Sequence, residues 1–232
     1  MSTGLHIVDV VYTKKGNVLV DLGNKKVLLD ADTFAKANLV KGTEVPNDRL
    51  LGVLLKNIRS RLYRKGYTYL SRALKPRKRL EDILKRAFDK DRNKEILAEL
   101  LKEINADANE SIADIAEIKR EMLTDVADRL EAEGLLDDEL YAEEFVRARL
   151  RNKPRSTWIL IGELVKKGID REIAKAVVER QKVNDKDLLK QAYLKKMRSG
   201  GRNLSREKMI AFLRRKGFNY YDIVEVIDEI KN

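Results

Sequence analysis

The residues with the most distinctive chemistry in this 232-residue sequence are basic side chains that recur in three places. The central set alternates along the end of a predicted helix and the loop after it, and consists of Arg147, Arg149, Arg151, Lys153 and Arg155. A later set holds Lys195, Lys196, Arg198 and Arg202, and an earlier set holds Arg72, Lys75, Arg77, Lys78 and Arg79. Three matching sets on stacked units would suit a partner with regularly spaced phosphates or acids. The alternative is an ordinary solvated face.

Metal and nucleophilic chemistry have much weaker support. The sequence has no cysteine, and its single histidine, His6, lies in a predicted strand, so a zinc site has no ligand set. The carboxylates of 137–139 and 143–144 could in principle serve a two-metal nuclease. However, acids are expected at the helix start that Asp137 and Asp138 form, and the two glutamates lie on the outer face of that helix. We therefore predict no metal, no cofactor and no enzymatic activity, with a nuclease as a distant alternative.

The charge distribution also indicates an anionic partner. The formal net charge is +11, but residues 1–90 carry 20 basic and 9 acidic side chains, whereas residues 91–146 carry 6 and 18. Residues 147–232 return to 23 basic and 11 acidic side chains. Two basic blocks therefore flank an acidic one, and such a field attracts nucleic acid, anionic lipid or an acidic protein surface.

The central basic set must be positioned by a predicted three-helix unit over residues 136–181. Asp137 and Asp138 are suited to cap its first helix, and its second and third helices are expected to start near Ser156 and at about Asp170. Gly168 is suited to end the second helix. Apolar spacing predicts a core in each repeat, which we assign to Tyr141, Phe145, Trp158, Ile161, Leu164, Leu213 and Phe218. Trp158 and Phe145 could instead stack on nucleobases, but their places on apolar stripes favour core packing.

The same pattern occurs three times. An aliphatic residue, a spacer, two bases, a small residue and an apolar residue end at Phe88, Ile169 and Phe218. The first interval is longer than the second, which indicates an insertion at about 89–122 in the first unit. Its two amphipathic segments predict an extra helical hairpin, followed by a separate third helix. We interpret this hairpin as a solvated surface excursion rather than a dedicated docking element.

The N-terminal region has a different pattern of apolar residues, one that is typical of strands. Three runs of Val, Ile and Leu within residues 5–30 predict a small antiparallel β meander, and Asp32 is suited to cap a short helix after it. The predicted fold is mainly α, with tandem three-helix-bundle repeats in an elongated array and a small N-terminal β element. We predict four segments, at 1–45, 46–135, 136–182 and 183–232. Asp185 is a candidate cap for the first helix of the last segment, and Ser205 is a candidate cap for its second helix.

Membrane and export signals are not expected. No run of 18 apolar residues occurs, and the first ten residues lack the basic start and apolar core of a signal peptide. With no cysteine, these features predict a cytoplasmic protein.

Residues 136–150 and the repeats after them resemble the RecX family of bacterial recombination regulators. The run D-D-x-x-Y-A-x-x-F-V-x-x-R falls on Asp137, Asp138, Tyr141, Ala142, Phe145, Val146 and Arg149. The resemblance covers about residues 5–88 and 123–232. The 89–122 insertion departs from the family pattern, and residues 151–155 lack the glycine common in that loop.

The resemblance implies a non-enzymatic monomeric modulator of the RecA recombinase. Such proteins lie in the helical groove of the RecA–DNA filament and limit filament growth, strand exchange and ATP hydrolysis, within DNA repair and the SOS response. The basic sets would then contact RecA or DNA. The alternative is a stand-alone DNA-binding module that uses the same basic residues on single- or double-stranded DNA.

Overall fold

The computed structural model describes residues 4–107 and 114–231, without the side chains of Asp107, Arg202 and Lys231. Its strands are β1 (Gly4–His6), β2 (Asp9–Tyr12), β3 (Asn17–Asp21), β4 (Lys26–Asp30) and β5 (Glu44–Pro46). The first helices are α1 (Ala31–Ala37), α2 (Asn47–Leu70), α3 (Arg77–Asp89), α4 (Lys94–Asp107) and α5 (Ile115–Ala132). The later helices are α6 (Asp138–Asn152), α7 (Thr157–Lys166), α8 (Arg171–Arg180), α9 (Asp185–Arg198), α10 (Arg206–Arg214) and α11 (Tyr220–Lys231), with a 3-10 turn at Gly201–Asn203. The predicted mainly α fold with a small N-terminal antiparallel β element is confirmed.

The chain forms two compact units. The first comprises Met1–Ala73 and Leu80–Leu136, and the second comprises Leu74–Arg79 and Asp137–Asn232. The first unit has one continuous apolar core that includes strands and helices alike. The second has two cores, one among α6, α7 and α8 and one among α9, α10 and α11, and Leu150 packs against both. The four-segment division of the chain stays a prediction.

The N-terminal strands differ from the predicted three-strand meander. The first apolar run splits at Ile7 into β1, which pairs with β5, and β2, which joins β3 and β4 in a second sheet. Ile7 is fully buried, and its N–H and C=O bond to Thr43 and Gly42 instead of to a neighbouring strand. The run therefore changes sheets where its central residue enters the core. Asp30, not Asp32, caps α1, because its side chain accepts from the N–H of Thr33.

Two buried asparagines join the second sheet to the helices. The Oδ1 of Asn93 accepts from the N–H of Leu28 at 3.0 Å, and its Nδ2 donates to the C=O of the same residue at 2.7 Å. Asn57 of α2 accepts from the N–H of Asp30 at 2.9 Å. These hydrogen bonds give partners to the backbone N–H and C=O groups along the free edge of β4, which would otherwise be buried without partners.

The 89–122 insertion is part of the core, so the interpretation as a solvated excursion was wrong. Leu97 and Leu100 are fully buried, and α4 packs against α2 and α5. The second insertion segment and the predicted third helix of the first unit are also one continuous helix, α5. No proline or glycine interrupts residues 115–132, so nothing in the sequence ends that helix early. The polar connection predicted between the two insertion helices covers residues 105–110; its first half forms the end of α4, and its second half is outside the described residues.

The helix ends of the second compact unit follow the sequence closely. The side chains of Asp137, Ser156, Asp170 and Ser205 cap α6, α7, α8 and α10 by accepting backbone N–H groups. Gly168 has a φ of 93°, as expected for a left-handed helix end. Asn184, rather than Asp185, caps α9. Among the helices of the described residues, none combines the length and apolarity needed to span a bilayer.

Candidate basic interface

The clustered carboxylates of α6 are engaged within the chain. Asp137 caps the helix, and Asp138 accepts from the backbone N–H of Arg77 at 2.7 Å. Glu139 pairs with Arg180, as does Glu143, and Arg147 pairs with both Glu143 and Glu144. Within the part of the chain that the structure describes, no group of three or more acids and histidine is arranged to hold a metal ion. The acidic residues of this helix thus have structural partners.

Two of the arginines predicted to bind a partner are likewise paired with carboxylates of the chain itself. Arg147 is neutralised by its two glutamates, at 3.1 and 2.7 Å. The Nε of Arg149 lies 2.8 Å from Glu163, and its guanidinium covers the ring of Phe145 at 4.8 Å from the centroid. Both arginines therefore support the three-helix unit, and much of their charge is already paired.

The remaining bases of this region form what we call the basic cluster: Arg151, Lys153, Arg155, Lys195, Arg198 and Lys216. The loop from α6 to α7 brings them together, because two of the lysines hold its backbone. Lys195 Nζ donates to the C=O of Asn152 at 2.5 Å, and Lys216 Nζ donates to the C=O of Pro154 at 3.1 Å. These bonds leave the positive charges intact, since carbonyl oxygens carry no compensating charge.

Lys216 reports the electrostatic state of the cluster. Burial is the largest cause that lowers the pKa of Lys216 below its usual value, and repulsion from Arg155, Lys195 and Lys153 lowers it further. Glu163 offsets this only in part. Among the described residues, Glu163 is the single carboxylate that pairs with a member of the cluster, through Arg155 at 2.9 Å. Apart from this pair, the cluster is thus a concentration of positive charge without paired carboxylates, as expected of an anion-binding surface.

The pKa of Lys216 is expected to rise when the cluster binds a polyanion. Because the folded pKa is lowered, the charged lysine costs stability in full below that pKa, and the cost falls as pH rises from the folded pKa to the higher pKa of the unfolded chain. A bound anion would cancel the repulsion from Arg155 and Lys195 and favour the charged form. The measurement is an NMR pH titration of ¹³C-labelled lysine side chains with and without a short oligonucleotide.

Lys190 provides the internal control for this titration. Its hydrogen bond to Glu229, together with the charge of that glutamate, raises the pKa of Lys190 above its usual value. Its pKa should not respond to the oligonucleotide, because its charge is already paired outside the cluster. An unchanged Lys216 pKa at saturating oligonucleotide would show that the cluster does not bind the polyanion.

Part of the cluster opens onto a groove between α6 and α9. Arg151, Lys195 and Arg198 line it, together with Leu150, Pro154 and Leu194. Apolar and positively charged side chains therefore line the same groove. Lys196, another base predicted here, lies 5.4 Å from the ring centroid of Phe212, and Lys216 lies 5.2 Å from the same centroid. The side chain of Arg202 is outside the described residues.

The earliest basic set is divided between the two compact units. Arg77, Lys78 and Arg79 form the first turn of α3, where Lys78 lies against Gly168. Arg72 instead lines a groove in the first compact unit. The other bases of that groove are Arg61, Lys65, Arg86 and Lys90.

The same contact recurs where successive repeats meet, and we call it the repeat junction. The first N–H of α3, from Arg77, donates to Asp138 at 2.7 Å, and the first N–H of α7, from Thr157, donates to Asp185 at 2.8 Å. In each case the first residue of the next repeat's opening helix supplies the carboxylate. This explains why Asp185 does not cap its own helix.

A glycine completes each repeat junction. A Cβ on Gly168 would lie 2.3 Å from the Cβ of Lys78, and one on Gly217 would lie 2.3 Å from Cγ1 of Ile159. Both glycines follow the paired bases of the repeat pattern. The sequence signal therefore marks a close backbone approach as well as a left-handed helix end.

Trp158 is on the surface, so its assignment to the repeat core was wrong. It is 70% exposed, whereas Leu160 and Leu164 are fully buried. Residues two apart on a helix point about 160° away from each other, so a core at Leu160 turns Trp158 outward. The segment TWILIGELV is apolar on nearly every face, and its periodicity could not select between these arrangements.

The other predicted core residues face inward to different extents. Leu164, Leu213 and Phe218 are buried. Tyr141, Phe145 and Ile161 are partly buried against the core of the second repeat.

Replacing Trp158 by alanine is expected to change the free energy of unfolding by less than about 0.5 kcal/mol, because the side chain contributes little buried area. Leu160→Ala, in the same helix, should cost about 2 kcal/mol or more through lost burial and a cavity. Urea denaturation followed by circular dichroism would measure both. A large loss for Trp158→Ala would contradict its surface position.

Lys216 is a member of the basic cluster that was not among the binding residues predicted from the sequence. The signal was present, because Arg215-Lys216-Gly217 is one of the three aligned repeat endings. What the alignment could not reveal is that Lys216 reaches Pro154, which is 62 positions earlier in the chain.

Comparison with known proteins gives a consistent result. A family profile described as the second three-helix domain of RecX matches residues 137–178. Regulatory protein RecX of Chlorobium phaeobacteroides (strain BS1) is 35% identical over 107 residues, which are 44% of this chain and 68% of that protein. The RecX of Prosthecochloris aestuarii (strain DSM 271 / SK 413) is 33% identical over 112 residues, which are 47% of this chain and 73% of that protein.

Two solved structures share the fold. A crystal structure of regulatory protein RecX matches 97% of this chain and all of its own, with a TM-score of 0.54 and 18% identity. The structure of RecX from Lactobacillus salivarius matches 76% of this chain and 98% of its own, with a TM-score of 0.52 and 22% identity.

Proposed function

Since this chain belongs to the RecX family of regulatory proteins, we propose that it regulates homologous recombination by binding the RecA–DNA filament. It binds in the helical groove of the filament and limits RecA assembly, ATP hydrolysis and strand exchange. It acts without a cofactor, as a cytoplasmic monomer, in DNA repair and the SOS response.

The observation that carries this proposal is the basic cluster. Its six cations have one paired carboxylate, Glu163, among the described residues, and burial and mutual repulsion lower the pKa of Lys216. A filament of protein and DNA offers a repeating array of phosphates and acidic side chains. Neutralising the cluster with such an array releases counterions and relieves the repulsion, so both effects favour binding.

The regulatory role is tested by adding the protein to RecA on single-stranded DNA. The DNA-dependent ATPase and strand exchange should fall as the protein approaches a stoichiometric amount. Unchanged rates at that amount would refute the proposal. Because a protein that only sequesters DNA would also lower these rates, the assay is repeated on filaments assembled before the protein is added, with free DNA removed.

A second candidate function is stand-alone DNA binding by the same cluster. The specific observation in its favour is that, among the described residues, only Arg155 of the cluster is paired with a carboxylate. Phosphates alone could neutralise the other cations without a protein partner. It predicts that affinity for naked DNA falls steeply with salt concentration. A shallow salt dependence, with RecA inhibition retained, would exclude it as the main role.

A further inference from the structure

The side chain of Trp158 is the main feature that neither the fold nor the charge explains. It is the only tryptophan of the chain, and it is 70% exposed in the first turn of α7. Its neighbours in the helix show that packing does not require a tryptophan at this exposed position, since Leu160 and Leu164 fill the core without it. A polar residue at position 158 would serve the fold equally well.

Trp158 follows directly on the loop that carries Lys153 and Arg155 of the basic cluster. Ser156, two residues earlier, donates its backbone N–H to the C=O of Lys216 at 3.1 Å. Arg155, three residues earlier, is one of the cations that lower the pKa of Lys216. The aromatic face and the positive charge are therefore presented by the same short loop and helix start.

Two further aromatic residues, Tyr220 and Tyr221, begin α11, shortly after Lys216 in the chain. Gly217 packs against Ile159 and Ser156, and Tyr220 and Tyr221 come three and four residues after it. Tyr221 is 80% exposed and Tyr220 is 49% exposed, and their rings meet edge to face at 5.9 Å. One nearby carboxylate, that of Asp185, is already bound to the N–H of Thr157.

A partner that fits this surface must carry negative charge and flat apolar faces together. Unpaired nucleotides have both, because each has a phosphate and an exposed base. In a duplex the base faces are covered by stacking, so an aromatic side chain gains nothing there. An acidic peptide would satisfy the cations but would leave the indole in water.

We propose that Trp158 stacks on an unpaired nucleobase while the basic cluster binds the adjoining phosphates, so that this surface prefers single-stranded nucleic acid to duplex. The inference rests on the contact between the cluster and DNA proposed above, and it names the form of DNA that the contact selects. Regulation of RecA does not depend on it.

The single tryptophan makes the test direct. The full chain is titrated with oligo(dT) of about 12 nucleotides, an abasic strand of equal length and a duplex, and indole fluorescence is followed. Oligo(dT) should quench the fluorescence and protect it from acrylamide, whereas the abasic strand should bind with little change. Labelled oligonucleotides followed by anisotropy give the affinities independently of the indole.

Variants separate stacking from charge. Trp158→Ala should weaken oligo(dT) binding about 10-fold and leave abasic and duplex binding unchanged, and Trp158→Phe should recover part of the loss. Changing Arg151, Lys153 and Arg198 to serine should weaken all three ligands. Circular dichroism confirms that each variant is folded.

Several results would overturn the inference. These are binding of oligo(dT) without a fluorescence change, equal affinities for Trp158→Ala and the unchanged protein, or no binding to any strand. Quenching by RecA alone, without DNA, would identify Trp158 as a protein contact instead. The RecA ATPase of Trp158→Ala is measured separately, so a failure here is distinguishable from failure of the regulatory role.

Discussion

Replacing Gly217 by alanine is expected to lower the free energy of unfolding by about 3 kcal/mol. The residue has a φ of 88°, where an L-residue loses about 1 to 2 kcal/mol. A Cβ would also lie 2.3 Å from Cγ1 of Ile159 and 2.4 Å from Oγ of Ser156. Relieving that overlap must displace α7 or the end of α10, and overpacking of this kind costs a further 1 to 3 kcal/mol.

Gly200 provides a matched control for Gly217. Its φ is 93°, it lies in the same compact unit, and an added Cβ would meet no atom within 4 Å. Gly200→Ala should therefore show the backbone cost alone, about 1 kcal/mol. Urea denaturation by circular dichroism compares the two variants. Equal losses would mean that Gly217 is needed only for its backbone conformation and that the close approach at the repeat junction contributes nothing.

Reversing three charges of the basic cluster is expected to have the largest functional effect. The triple variant Arg151→Glu, Lys153→Glu and Arg198→Glu should weaken binding to the RecA–DNA filament by roughly 100-fold or more. It should also lower the slope of log affinity against log salt by about 3, one for each lost phosphate contact. These three side chains have no ion pair within the described part of the chain, so their change should leave the fold intact.

The control for this variant changes the same number of charges outside the cluster. Lys166, Arg171 and Lys175 are exposed on α7 and α8, and replacing them by glutamate gives the same net charge. Filament co-sedimentation and RecA ATPase over a range of salt concentrations measure both triple variants. If the control variant loses binding equally, net charge is responsible and the cluster is not a specific surface.

Arg149 shows why charge alone does not identify a binding residue. The sequence places it in the basic run beside Arg151, and nothing local separates the two. In the structure Arg149 pairs with Glu163 and covers Phe145, whereas Arg151 lines the open groove. The difference depends on a glutamate 14 residues away, whose approach is set by the packing of α6 against α7.

The 89–122 insertion shows that helical periodicity alone does not decide whether a helix is buried in the core. Periodicity correctly predicted two helical segments between 89 and 122, but an amphipathic helix can cover a core or lie at the surface with the same pattern. Its position is decided by Leu97 and Leu100 packing within the first compact unit, and by Asn93 bonding to Leu28. Those partners are distant in sequence, and no local signal identifies them.

What the sequence alone determined is local in its physics. The caps at Asp137, Ser156, Asp170 and Ser205 and the left-handed end at Gly168 depend on backbone groups within three or four residues, so residue type and spacing suffice. The repeat pattern and the mainly α fold follow from the same short-range rules.

Only the tertiary structure decided which charges stay unpaired and which apolar side chain faces water. Lys216 joins the basic cluster because its side chain reaches the carbonyl group of Pro154. Trp158 is exposed because Leu160, two residues later in the helix, occupies the core position. Both outcomes depend on contacts between helices that the sequence separates, where several arrangements satisfy the same local preferences. Burial and electrostatic compensation select among them, and they are properties of the packed chain.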